Sequence, residues 1–539
     1  MGRSYGRSMV ISQQGIAATS QILASQTAAT ILSRGGTAID AAIAANAVLG
    51  VVEPMMDGPG GDLFVLYWDA RSKQYVGLNA SGPAPRKLTP AFLAAKGLKE
   101  MPADGIQSVT VPGAVEGWAE MHKRFGKLPW KELFTDAIGY AEGGFPVSEI
   151  IQEAWAASEN VARLRSNPES TRIFLPHGRA PEVGELFRNP ELGRAYRLIA
   201  SEGAAAFYKG AIAEAILRTS QHLGGTITAQ DLATFAPEWV TPISTDYRGS
   251  RVFELPPNSQ GMAALEMLNI MSASKPDDAG PSSAAEMHKR IEAMKLSYSD
   301  LRRYNADPRS HDIPVSSLLS KEWAAGRAAL IDDAHANCAV MAGDVKISDT
   351  TYLTVVDREG NIASWIQSIS QAFGSGITVE GMGFPLQNRG GNFTLDPKSP
   401  NVLAPGKRPF HTIIPAFMER GDTRTAFGIM GGANQPLAHA QFVSNMVDYG
   451  MNIQAALEAP RFTKRSASGC DVSIESRVGT TTLQGLSQRG HQIAIRKEYT
   501  QEMGRGQAIL HDSKSNTNYA ASDPRTDGAA VPEPLPKQP

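Results

Sequence analysis

The stretch from Asp349 to Ser370 constrains the fold more than any other. Asp349-Thr350-Thr351-Tyr352-Leu353-Thr354-Val355-Val356-Asp357 and Asn361-Ile362-Ala363-Ser364-Trp365-Ile366-Gln367-Ser368-Ile369-Ser370 are rich in β-branched and aromatic residues and flank a three-residue break, Arg358-Glu359-Gly360. The pattern predicts a β-hairpin whose loop puts Gly360 in the left-handed position and pairs Asp357 with Asn361. Counting back from that turn sets Thr350, at the strand start, opposite Ser368, with Ser370 just beyond. Facing hydroxyls are ordinary cross-strand pairs, so the cluster implies no chemistry by itself. A threonine becomes a strong nucleophile when it begins a chain, because its α-amino group, with a pKa near 8, then serves as general base. That chemistry requires a cut between Asp349 and Thr350.

Helical and extended patterns alternate around the hairpin. From Ala24 to Val52 apolar residues recur at helical spacing, broken at Arg34-Gly35-Gly36, which predicts one helix followed by a second, buried one. The glycine turn from Met56 to Asp62 feeds the strand Leu63 to Asp69, where a meander begins. Helices are predicted over Gly113 to Arg124, Ala284 to Arg302 and Gln435 to Tyr449, with short strands and tight turns from Thr350 to Gln387. A length of 539 residues, 42% of them hydrophobic, predicts two or three packed units with a large core. The proline-rich end, residues 532–539, reads as a loose tail.

Composition removes several classes of function. Lys and Arg number 52 against 54 Asp and Glu, a net charge of −2, so the basic excess that nucleic acid demands is absent. The two cysteines, Cys338 and Cys470, show neither C-x-x-C nor zinc spacing, so no disulfide framework and no metal site is expected. No apolar run approaches the ~20 residues of a membrane span. Met1 to Gly15 lacks the apolar core of an export signal, so the expectation is either a cytoplasmic protein or a truncated or misassigned start. The chain has no G-x-x-x-x-G-K-[ST], H-E-x-x-H or G-x-S-x-G motif, and no cofactor is expected. His439 reads as a structural histidine, and Asp57 and Asp62, beside turn glycines, as caps of their own backbone.

A set of motifs in fixed order supplies the signal the hydroxyl cluster lacks. Ser33-Arg34-Gly35-Gly36-Thr37-Ala38-Ile39-Asp40-Ala41-Ala42, Val52-Glu53-Pro54 with Gly58-Pro59-Gly60-Gly61, and Val111-Pro112-Gly113-Ala114-Val115-Glu116-Gly117-Trp118 come first. Asp349-Thr350-Thr351, Gly406-Lys407-Arg408-Pro409, Gly431-Gly432 and Ala459-Pro460-Arg461-Phe462 follow. In these the chain resembles γ-glutamyltransferase (γ-glutamyltranspeptidase, glutathione hydrolase) precursors over residues 20–528. The resemblance implies an α+β fold, the four-layer αββα sandwich of N-terminal-nucleophile hydrolases. It also implies self-cleavage between Asp349 and Thr350 into a large chain, 1–349, and a small chain, 350–539, that stay together as a heterodimer. Thr350 would be the nucleophile, Ser368 its hydroxyl partner, and Gly431 and Gly432 the oxyanion-hole donors.

The donor contacts depart from the family pattern. Ser81 stands where glutamyl-specific relatives have the arginine that holds the α-carboxylate, and a serine cannot supply that bidentate clamp. Asn392 replaces the acid that takes the α-amino group, His411-Thr412 replaces a serine pair, and Ser370 replaces an asparagine. Arg389 is the candidate to restore the lost charge, with Arg86 the weaker one. The loop from Phe393 to Lys407 is shorter than the lid of some relatives, which predicts a more open pocket and hydrolysis over transfer. The expected activity is cleavage of γ-glutamyl amides such as glutathione, through an acyl-enzyme, to water or an amine. Two alternatives stand beside it: an amidase for another small amide or a β-lactam acyl side chain, and an uncleaved, non-catalytic scaffold.

Overall fold

Alternation along one strand sets the architecture. In the computed structural model, which describes residues 5–341, 349–464 and 466–535, the strand Asp349–Val356 sends Tyr352 and Val356 to one side and Leu353 and Val355 to the other. Its sheet has seven antiparallel strands in the order Ala529–Pro532, Ile16–Thr19, Asp349–Val356, Ile362–Ser370, Asp62–Asp69, Gln74–Ala80 and Glu238–Val240. A second antiparallel sheet of seven runs Val10–Ser12, Thr517–Ser522, Arg505–Asp512, Thr423–Met430, Ala416–Arg420, Ser250–Glu254 and Ile243–Tyr247. Phe64, Leu66, Tyr352 and Ile366 of the first sheet meet Phe253, Phe417, Ala426 and Ile509 of the second in a buried apolar layer.

Helices cover both outer faces. Ile22–Ser33 and Ala38–Val52 pack on Leu353, Val355 and Trp365, whereas Gly261–Ser272, Ala284–Tyr304 and Gln435–Val447 pack on Phe427 and Ile429. The layers therefore run helix, sheet, sheet, helix, as the resemblance implied. The helix pair breaks where expected. Gly35 takes a φ of +85°, and Thr37 opens the second helix in a capping box with Asp40. The helices expected from Gly113, Ala284 and Gln435 run over Ala114–Phe125, Ala284–Tyr304 and Gln435–Val447. Close approach of the sheets requires Gly428, since a Cβ there would lie 2.3 Å from the Tyr352 ring. Both sheets contain strands from residues 1–349 and from 350–539, so neither stretch builds its sheets alone.

Three expectations need correction. Strands were expected to continue to Gln387, yet they stop at Ser370. Gly374, Gly376, Gly381 and Gly383 all take left-handed φ values, which turn the chain into close loops. Cys338 and Cys470, for which no disulfide framework is expected, form a disulfide with Cα atoms 5.0 Å apart. Their separation of 132 residues leaves no spacing signal in the sequence. The expected loose tail is anchored at its start. Pro532 ends an edge strand, where proline is tolerated, and pairs with Ile16. The buried Glu533 carboxylate accepts from Gly15 N at 3.1 Å and Arg358 Nε at 3.0 Å. Residues 536–539 lie outside the described residues. Among the described residues no helix is long and apolar enough to cross a membrane.

Candidate active site

The hairpin forms with the register counted from its turn. Gly360 has a φ of +79°, Asp357 N bonds Asn361 O at 3.1 Å, and pairing runs from Val356 with Ile362 to Thr351 with Gln367. It slips by one residue at the strand start, where Asp349 faces Ser370, so the irregularity falls across the Asp349–Thr350 bond. The hydroxyls still meet, with Thr350 Oγ1 3.3 Å from Ser368 Oγ. Ser370 takes a left-handed φ of +81° and donates its N–H to Ser368 Oγ at 2.8 Å. A non-glycine residue held in that region costs about 1 kcal/mol or more and marks a place the surroundings enforce. Thr350, Ser368, Arg389 and His411 are all fully buried, in contrast to the more open pocket expected from the short loop. That loop packs instead, with Phe393 and Leu403 against Ala84, Leu88 and Leu93.

Beside Thr350 and Ser368 this apolar layer gives way to a buried charged cluster. Arg389 donates from Nη2 to Ser368 Oγ at 3.0 Å and from Nη1 to Thr412 Oγ1 at 2.8 Å, while its Nε has no hydrogen-bond acceptor among the described residues. Asp62 lies 3.9 Å from that Nε, accepts Gly82 N–H at 3.1 Å, and meets His411 Nε2 at 3.1 Å. Ile413 N–H points at His411 Nδ1 from 3.4 Å, which makes Nδ1 the acceptor and Nε2–H the donor to Asp62. Burial pushes the Asp62 carboxyl up to about 7, against the pull of Arg389. Burial also lowers Arg389 to about 10 and, with the charges of Arg389 and Arg408, keeps His411 neutral, well below its ordinary value.

A second chain of bonds joins the glycine pair to this centre. Gly431 and Gly432, with φ of +150° and +61°, follow the strand Thr423–Met430 and lead into the helix Gln435–Val447. Gln260 Nε2 donates both to Gly432 O at 2.8 Å and to Thr412 O at 2.5 Å, and Tyr298 Oη donates to Ala433 O. Thr412 therefore links the glycines, through Gln260, to Arg389, Ser368 and Thr350. A fixed backbone at the start of a helix presents N–H dipoles suited to a developing negative charge.

The remaining candidates sit further out. Ser81 bonds Asn79 Oδ1 through both N and Oγ, and its carbonyl accepts from Arg408 Nε. Asn392 turns its amide to Phe410 O at 3.0 Å, holding the Phe393 to Lys407 loop. His439 is structural, accepting Ile429 N–H on Nε2 and bonding Glu254 through Nδ1. Asp57 caps Gly58 N–H as expected and also accepts from Thr351 Oγ1 at 3.1 Å, fixing the residue after Thr350. Two participants were missed. Asp62 read as a turn cap, and Gln260 lay in a Pro-Asn-Ser-Gln-Gly run that looks like any surface loop. Among the described residues, His288, Glu292 and His491 have the donor atoms for a cation, but Lys295 Nζ already sits 2.6 Å from the Glu292 carboxylate.

Two facing antiparallel sheets between helical layers, with a threonine near the start of an inner strand, are the architecture of N-terminal-nucleophile hydrolases. The Gamma-glutamyltranspeptidase family profile matches residues 24–533, and the chain belongs to that family. It is 37% identical to the Glutathione hydrolase-like YwrD proenzyme of Bacillus subtilis over 528 residues, 97% of this chain and 99% of that one. It is 35% identical to the Oxamate amidohydrolase proenzyme of Klebsiella pneumoniae over 531 residues, 97% and 99% of the two chains. The crystal structure of cephalosporin acylase from Bacillus halodurans superposes with a TM-score of 0.90 at 40% identity, covering 98% of each chain.

Proposed function

We propose that the chain is a self-cleaving amidohydrolase whose donor carries a carboxylate and no neighbouring ammonium group. In the first step Thr350 Oγ attacks the Asp349 carbonyl, and the peptide C–N bond gives way to an ester while the nitrogen becomes the Thr350 α-amino group. Water then hydrolyses the ester, leaving a carboxylate on Asp349 and a free Thr350 hydroxyl. In turnover the same Oγ attacks the donor's amide carbonyl, its proton passes to the α-amino group and on to the leaving amine, and water releases the acid. The N–H groups of Gly431 and Gly432 are assigned to the oxyanion.

The observation that carries the donor assignment is Arg389. A fully buried guanidinium with spare donors stands one hydroxyl away from Thr350, bonded to the same Ser368 Oγ that lies 3.3 Å from Thr350 Oγ1. A carboxylate beside it gains a charge-assisted pair in a dry site. A γ-glutamyl group would also bring an α-ammonium. Arg389 and Arg408 repel that charge, Asn392 faces away, and Asp62 is already engaged by His411 and Gly82. The name of the oxamate amidohydrolase accords with this reading, and the glutathione hydrolases among the relatives keep the γ-glutamyl reading as its rival.

A panel of p-nitroanilides and free amides separates the two. Glutaryl and succinyl p-nitroanilides and oxamate are set against γ-glutamyl-p-nitroanilide and glutathione. Acids without the amino group are expected to show at least tenfold higher kcat/KM, and Arg389→Met to raise their KM by about 100-fold, the loss of a charged hydrogen-bonded partner. Preference for the γ-glutamyl donors, or an Arg389→Met enzyme with unchanged KM, contradicts the assignment.

A further inference from the structure

The Cys338–Cys470 bond crosses the position of the proposed cut. Cys338 precedes Thr350 and Cys470 follows it, and the structure joins them across 132 residues. The buried Cys470 directly precedes the strand Asp471–Glu475, and its carbonyl accepts Gln492 N–H at 2.7 Å from the neighbouring strand. The exposed Cys338 lies on a segment pinned on both sides of the cut. Ala336 N–H bonds Arg489 O at 2.7 Å in the later part of the chain, and Asn337 O accepts from Lys295 Nζ at 2.8 Å in the earlier part.

We infer that, after self-cleavage, the two chains remain one covalent molecule through this disulfide, an inference that rests on the cut proposed above. Because each sheet contains strands of both chains, the bond is not needed to hold the pair together. What it fixes is the new carboxyl end. Cys338, close in sequence to the cut, keeps the end of the first chain at high effective concentration near the second. A dithiol breaks the tie. Its two S–H groups close to a cyclic disulfide as the cystine takes up two electrons and two protons to give two cysteine thiols. The exposure of Cys338 gives an attacking thiolate access. Such a bond persists where thiols are kept oxidised, so the tethered form belongs to an oxidising compartment rather than to the cytoplasm.

The test uses the purified full chain, equilibrated in air-saturated buffer, blocked with iodoacetamide and run on denaturing gels with and without dithiothreitol. The expected result is one band of full-length size without reductant and two bands, residues 1–349 and 350–539, with it. Cys338→Ser, a change at an exposed position, is expected to give two bands in both lanes. Two wild-type bands without reductant overturn the tether while leaving the cut intact. A single band under both conditions overturns the self-cleavage reading, and the tether between chains falls with it.

Discussion

The two ends of the layer between the sheets are built under opposite rules. At one end Trp68, Tyr75, Phe253 and Phe417 pack ring against ring, with the Arg424 guanidinium 3.9 Å over the Trp68 ring. At the other end of the same Asp62–Asp69 strand, Asp62, Arg389 and His411 are buried together, and each costs desolvation that an apolar side chain would avoid. One end is built on stacked rings, whereas the other buries charged side chains where Thr350 and Ser368 face each other. Such departures are expected where a fold carries chemistry.

The comparison can be broken from either side. Phe417→Ala removes a fully buried ring from the aromatic end and is expected to cost about 3–5 kcal/mol of stability in chemical denaturation. Activity per folded molecule should stay within about twofold, and a parallel loss of activity would show that the two ends are not separable. The charged end predicts a smaller, pH-dependent effect. Asp62 is held protonated up to about 7 when folded, against about 3.9 in an unfolded chain, so the folded state binds the extra proton between these values. Stability from this group is present below about pH 4, declines as pH rises towards 7, and is constant above, by at most about 1.4 kcal/mol per pH unit. Asp62→Asn should therefore lose less stability than the wild type between pH 5 and pH 7. A steeper loss in the variant would contradict the raised value.

Much of this was legible in the sequence where local rules decide geometry. The Gly360 turn fixed the hairpin register, Gly35 and Thr37 divided the helix pair, and the order of the glycine motifs pointed to the sandwich. The Thr350–Ser368 contact followed from the turn although the strand slips at Asp349, because a slip of one residue leaves the hydroxyls within reach. The missed features are long-range. Asp62 and Gln260 acquire their partners from segments brought together only by sheet-on-sheet packing, Glu533 from Gly15 and Arg358, and Cys470 from a cysteine 132 residues away. Arg389 was named as a candidate, but its burial and its bond to Ser368, which make it a partner of the centre, come from the fold.

The most direct test of the central claim is the intact mass of the reduced protein beside that of Thr350→Ala. The account predicts two wild-type polypeptides, one ending at Asp349 and one beginning at Thr350, and a single uncut chain for the variant. A wild type that stays whole after native folding, or a variant that is cut at the same bond, would contradict the role given to Thr350.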